Sequence, residues 1–180
     1  NPRAMASNVA WFRSQPVREG VLLLGGTDVD HFRIRYAQSR YRDDLAPSFW
    51  SLAGIVTRDG DLLTVPLDNI VATSRVPPTN GVRVMHLGDY DDVARFPNIA
   101  VLSFTTDAAG IVAAVRRIAR SRAMVDFPSM MLHWLSYLWA TDTSSNPLRG
   151  GIGLPSAVLV EAAHAAEGVH ISPGQTTSSS

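Results

Sequence analysis

Apolar positions in this chain come in two patterns. Short blocks bounded by glycine, proline or aspartate predict strands, and longer stretches with helical spacing predict helices. Val21-Leu22-Leu23-Leu24, closed by Gly20 and Gly25, predicts a buried strand. Phe49 to Thr57 and Leu62-Leu63-Thr64-Val65 flank Asp59-Gly60, a strong hairpin signal because both turn residues tolerate positive φ. Val82 to Leu87 alternates, and Ile99 to Phe104 is apolar, so both predict strands, the second one buried.

Helical stretches alternate with these blocks. Asn8 to Gln15 predicts a short helix capped by Ser7 and stopped by Pro16. Asp28 or Asp30 caps a second helix running to about Arg42, with Phe32, Ile34 and Tyr36 as its apolar positions and a basic outer face. Asp91 to Arg95 allows one helical turn. Thr106 or Asp107 caps a helix over Ala108 to Arg122, where Ile111, Val115 and Ile118 keep helical spacing and the arginines gather near the C-terminal end, the favourable end of the dipole. Phe127 to Trp139 is a more apolar helix carrying Met130, Met131, Trp134, Leu135 and Leu138. Leu154-Pro155-Ser156 opens a last helix to about Ala166, which Gly168 ends. Pro66 to Asn80 and Thr141 to Gly151 are expected as loops. The expected organisation is a helical lead-in over 1–19, a single α+β domain over 20–171 and a Ser/Thr/Gly tail over 172–180.

Composition narrows the chemistry. A formal net charge of zero provides no long-range field toward nucleic acid or anionic lipid, so no nucleic-acid partner is expected. No run of about 18 apolar residues occurs, so no transmembrane segment is expected. The first residues, Asn1 to Met5, lack the apolar stretch of a secretory leader, and a cytoplasmic location is the expectation. All sixteen basic residues are arginine, which removes lysine Schiff-base and P-loop chemistry. The absence of cysteine removes a thiol nucleophile, a thiolate metal site and any disulfide.

Few constellations carry chemistry on spacing alone. His31, His86, His133, His164 and His170 include no HExxH-type pair, and no metal or other cofactor is expected. Asp28 with Asp30, and Asp89 with Asp91 and Asp92, read as caps and turns. Gly150-Gly151-Ile152-Gly153 lacks the residues of a phosphate loop and reads as a tight turn into a helix. There is no GxSxG elbow. Ser156, in the first turn of a helix, is the most interesting hydroxyl, because neighbouring amides there could serve an oxyanion.

The order of parts resembles the circularly permuted branch of the NlpC-type papain-like peptidases and amidases, over roughly Gly20 to Gly174. That branch carries a G-D-hydrophobic opening strand, an S-H-hydrophobic-G-hydrophobic hairpin strand and a C-S-E-L-V helix at the far end. Ser51-Leu52-Ala53-Gly54-Ile55-Val56 resembles the strand motif and Ser156-Ala157-Val158-Leu159-Val160 the helix motif. The resemblance implies a central antiparallel sheet packed by helices. It puts Ser156 at the nucleophile position and Leu52 at the histidine position, with a third polar residue near Thr64. A hydroxyl needs a base, and leucine is none. The expectation is a catalytically dead domain used for binding or assembly. Its cleft would be formed by Trp50, Ser51, Leu52, Thr64, Pro155 and Ser156, and it would take a protein partner, a second copy, or a peptide or acyl ligand. Two alternatives stay open: a serine hydrolase or acyltransferase with Ser156 served by a relocated His133, His164 or His86, and an assembly subunit of unrelated fold.

Overall fold

The computed structural model describes residues 7–73, 80–104, 107–139 and 145–171. Five strands form one antiparallel sheet: β1 (Gly20–Gly25), β2 (Leu52–Val56), β3 (Asp61–Thr64), β4 (Arg83–His86) and β5 (Asn98–Leu102), in the order β4-β3-β2-β1-β5. Six α-helices accompany them among the described residues: α1 (Asn8–Ser14), α2 (Val29–Ala37), α3 (Asp68–Thr73), α4 (Ala108–Arg120), α5 (Phe127–Leu138) and α6 (Pro155–Ala165). The α+β class and the antiparallel sheet agree with the sequence reading.

Antiparallel sheets often leave one face to water, but this one is covered on both. Along β1, Val21 and Leu23 pack into one core and Leu22 and Leu24 into another. The first core is roofed by Ile34 of α2, Ile118 of α4, Trp134 of α5 and Leu159 of α6. The second is closed by Phe12 of α1 together with Leu87, Tyr90 and Phe96. Two-sided burial explains why the strands read as apolar runs rather than alternation. Each fully buried leucine or isoleucine contributes about 1.5–3 kcal/mol to this arrangement.

Local chemistry sets the ends of the elements. Ser7 Oγ accepts the Ala10 N–H at 3.0 Å and caps α1. Asn8 then donates from Nδ2 to the carbonyls of Tyr90 and Phe96 at 2.8 and 3.0 Å, which pins α1 over the second core. The β2–β3 hairpin turns at Gly60, whose φ of 88° suits a residue without Cβ. Asp107 and Asp126 cap α4 and α5.

Several expectations change. The helix expected to reach Arg42 ends as an α-helix at Ala37 and continues as one 3₁₀ turn over Gln38–Tyr41. Its buried face is His31, Ile34 and Ala37, whereas Phe32 and Tyr36 are exposed. Its arginines are not simply an outer basic face: Arg33 donates to the Leu138 carbonyl, and Arg35 to those of Ser48 and Gly26. The loop expected over Pro66 to Asn80 contains α3, and its residues 74–79 lie outside the described ones. β5 is a half-exposed edge strand, not a buried one, because the sheet ends there. Thr106, the loop residues 141–144 and the tail over 172–180 also lie outside the described residues.

Candidate functional site

The start of α6 meets the start of β2. Pro155 occupies the first turn of α6, where its missing N–H costs nothing, and Ser156 follows with 1% of its surface exposed. Ser156 Oγ accepts the backbone N–H of Ala53 at 3.2 Å. The carbonyl of the same Ala53 accepts from Thr64 Oγ1 at 2.6 Å. Pairing between β2 and β3 covers only Ile55 with Leu63 and Val56 with Leu62, so Ala53 lies beyond the ladder. The two side-chain hydroxyls replace the backbone partners that β3 would otherwise supply, as buried peptide groups require. Gly54 makes room for this: a Cβ there would meet Leu62 Cδ1 at 2.6 Å, the Leu63 carbonyl oxygen at 2.9 Å and Thr64 Cβ at 3.0 Å.

Sequence reasoning grouped Trp50, Ser51, Leu52, Thr64, Pro155 and Ser156 as a cleft. The structure brings Ser156, Thr64 and the Ala53 backbone together, but as packed interior. Leu52 packs into the core of the opposite sheet face with Leu22, Leu24 and Leu62, while Ala53 and Ile55 face the helices. The aliphatic side chain at the histidine position of the motif therefore lies across the sheet from α6. Trp50 is half-buried, with its carbonyl taken by Gln38 Nε2 at 2.9 Å.

No histidine among the described residues hydrogen-bonds Ser156. His164 is buried and donates from Nδ1 to the Val160 carbonyl at 2.8 Å, since a carbonyl can only accept. His86 is exposed and meets Asp61 at 2.8 Å. His133 is exposed on α5.

A different imidazole meets a different serine. His31 Nδ1 lies 2.7 Å from Ser51 Oγ, and Ser51 Oγ also accepts the Gly26 N–H at 3.1 Å. Ser51 has one proton to give. That proton goes either to Nδ1 or to the Leu24 carbonyl at 3.4 Å, in which case Nδ1–H donates to Ser51 Oγ; the other ring nitrogen, Nε2, takes no part in either arrangement. That nitrogen faces Asp68 at 4.0 Å, beyond direct hydrogen-bonding reach. His31 Nε2, Asp68 Oδ1 and the Tyr90 hydroxyl are buried without a hydrogen-bond partner among the described residues. Burial lowers the His31 pKa; Asp28 and Asp68 oppose that, and Arg95 adds to it. Burial, reinforced by Asp68 and Asp89, raises that of Tyr90. The cluster thus holds a neutral imidazole hydrogen-bonded to a hydroxyl, with a carboxylate beyond its far nitrogen. His31 and Ser51 are each 2% exposed, which keeps substrate away from both.

Sequence reasoning missed this cluster. In the sequence Ser51 reads only as a cleft residue, and Asp68 falls in a segment expected as loop. An i, i+3 pattern through His31, Ile34 and Ala37 was the available signal for the buried face of α2.

A cavity of about 600 Å³ opens at the other end of the sheet. It lies between the start of β1, the end of β2, the segment after β5, and helices α4 and α6. Ile55, Val56, Phe104 and Val112 supply apolar wall, and Arg116 and Arg120 stand on its α4 side. None of the six expected cleft residues lines it. Among the described residues, no group of three or more His, Cys, Asp or Glu side chains is arranged to hold a metal ion. No helix among them is long and apolar enough to cross a membrane.

Comparison of the chain with known family models, curated proteins and solved structures finds no match.

Proposed function

We propose that this chain is a non-catalytic papain-like domain that acts by binding or assembly. The observation that carries this reading is the hydroxyl of Ser156, which is buried and accepts the Ala53 N–H as a structural bond. A serine nucleophile needs a base within about 2.6–3.2 Å and an open approach for the acyl carbon. Ser156 has neither among the described residues. The meeting of α6 with β2 supports the NlpC-like order of parts, and the methyl of Ala53 on the face toward α6 offers no proton acceptor.

The surface suited to a protein partner or a second copy is the outer face of α2. Val29, Phe32 and Tyr36 are exposed there, with the two rings stacked at 6.2 Å. Met131 and Trp134 of α5 are fully buried core and add nothing to such a surface.

One observation favours a second reading, a serine hydrolase or acyltransferase. His31 is bonded to Ser51, the geometry of an activated hydroxyl. Incubation of folded protein with a fluorophosphonate probe, followed by peptide mass mapping, separates the readings. The binding-module reading expects no label. A label on Ser51 establishes the second reading, and a label on Ser156 returns activity to the position the sequence motif marks.

A further inference from the structure

We propose that the cavity between α4, α6 and the sheet binds a single-chain amphiphile with an anionic head, of the fatty-acid type. The inference is independent of the fate of Ser156, because Ser156 touches the first half of β2 and this cavity takes its other end.

The volume, about 600 Å³, lies in the range of ligand pockets, roughly 300–1,000 Å³. Its interior is apolar: Ile55 and Val56 from β2, Ile111 and Val112 from α4, and Phe104 beyond β5. Alanines at 108, 109 and 113 leave the α4 wall low, so the space is not filled by the helix's own side chains. The Phe104 ring meets the His164 imidazole edge-on at 5.0 Å and walls one side. Because His164 Nδ1–H is given to the Val160 carbonyl, the ring is fixed and presents no second donor in its neutral form.

The charges are lopsided. Four ionisable side chains other than histidine border the cavity. Glu19 is held by Arg58 at 3.0 Å and Arg117 by Glu167 at 3.0 Å, so both are neutralised within the fold. Arg116 and Arg120 meet no carboxylate among the described residues. They sit one helical turn apart, on the same side of α4. Two unmatched guanidiniums above an apolar hollow fit a carboxylate or phosphate head whose hydrocarbon chain enters the hollow, and guanidinium suits both heads bidentately. A cationic or neutral head leaves that charge uncompensated. The class is therefore an anionic head on one chain, whether a free fatty acid or a phosphate monoester of the same chain length.

Isothermal titration of the whole chain with octanoate, decanoate, dodecanoate, dodecyl phosphate, dodecanol and dodecyltrimethylammonium, each below its micelle concentration, tests this. The expected result is saturable one-to-one binding of dodecanoate, dodecyl phosphate or both, and which anion binds names the head. Affinity should fall about fourfold for each CH₂ removed, which is the ~0.8 kcal/mol of a buried methylene. Dodecyltrimethylammonium should not bind. Joint R116Q and R120Q substitution, on exposed side chains that leave the core alone, should weaken anion binding about tenfold and leave dodecanol unchanged. Filling the hollow with Val112→Trp, or with Ala109→Phe at an exposed position if the first variant fails to fold, should abolish binding of every chain. Three results overturn the proposal: failure of both anions to bind, affinity independent of chain length, or equal anion binding by the R116Q/R120Q variant.

Discussion

Ser156 accepts its hydrogen bond from Ala53 at 3.2 Å, and this contact joins the start of α6 to the middle of the sheet. Removing the hydroxyl strands a buried N–H, which costs about 1–3 kcal/mol. Ser156→Ala is therefore expected to lower unfolding free energy by about that amount in urea titrations. Ser156→Cys, with a larger and weaker acceptor, should recover only part of it and should not create activity toward acyl substrates.

Thr64 serves the carbonyl of the same residue, at 2.6 Å. Thr64→Val keeps the shape and loses the donor. Because Ser156 and Thr64 share Ala53 as a partner, their effects should not add. A double-mutant cycle is expected to give a coupling energy of about 0.5–3 kcal/mol, whereas sites without shared contacts add to within about 0.5 kcal/mol.

His31 predicts an acid sensitivity. Its folded-state pKa is lowered below 6.5 because burial disfavours the imidazolium, with Asp28 and Asp68 only partly offsetting this. Well above pH 6.5 the ring is neutral in both states and contributes nothing to pH dependence. Below that value the unfolded chain takes up a proton that the folded chain refuses, so stability falls with a slope of up to about 1.4 kcal/mol per pH unit until the folded pKa is reached. Urea midpoints at pH 7.5, 6.5 and 5.5 should decline accordingly. His31→Gln should be less stable at pH 7.5, where it perturbs the bond to Ser51, but flatter across this range. An unchanged slope in that variant would remove His31 as its source.

The extent to which the sequence was readable follows from locality. The hairpin at Asp59-Gly60, the cap at Asp107 and the run Gly20 to Gly25 are short-range signals, and each marks an element of the fold. Two-sided burial of β1 and β2 was also visible, as apolar runs without alternation. What escaped depended on distant partners. Phe32 and Tyr36 looked like the apolar face of α2, but packing gave that face to His31, because Ser51 and Phe96 wait there, at 2.7 Å and at a ring separation of 5.2 Å. α3 was hidden by the prolines that surround it. The motif around Ser51 to Val56 marked β2, yet only strand register reveals that Leu52 points to the face away from α6.

Asn8 offers a test of the lead-in segment. Its side chain donates to the carbonyls of Tyr90 and Phe96 and is 3% exposed, so this buried amide, with the bonds of Ser7 Oγ and the Val9 N–H to Asp91 and the burial of Phe12, holds a helix of seven residues in place. Such a helix has little stability of its own. Asn8→Asp replaces the donating NH₂ with an acceptor facing two acceptors and buries a charge. It is expected to release α1 and expose Phe12, with a loss of several kcal/mol. Asn8→Ala should cost about 1–3 kcal/mol. Hydrogen exchange read by mass spectrometry should localise the loosening to Asn8–Ser14 and to the segment around Tyr90 to Phe96 in both variants.

The exposed rings on α2 yield the last expectation. Phe32 and Tyr36 are 47% and 57% exposed and stack on one another, yet the buried contacts of α2 come from Ile34, Ala37 and His31. Surface side chains without buried partners change stability by no more than about 0.5 kcal/mol when replaced. Joint F32S and Y36S substitution should therefore leave the urea midpoint nearly unchanged. If α2 is the contact face of a binding module, the same pair should lower the mass seen by light scattering when the chain self-associates, or abolish capture of its partner when it does not. Retention of full association by a normally folded double variant would place the interface elsewhere on the molecule, since Val29 alone offers too little apolar area to hold a partner.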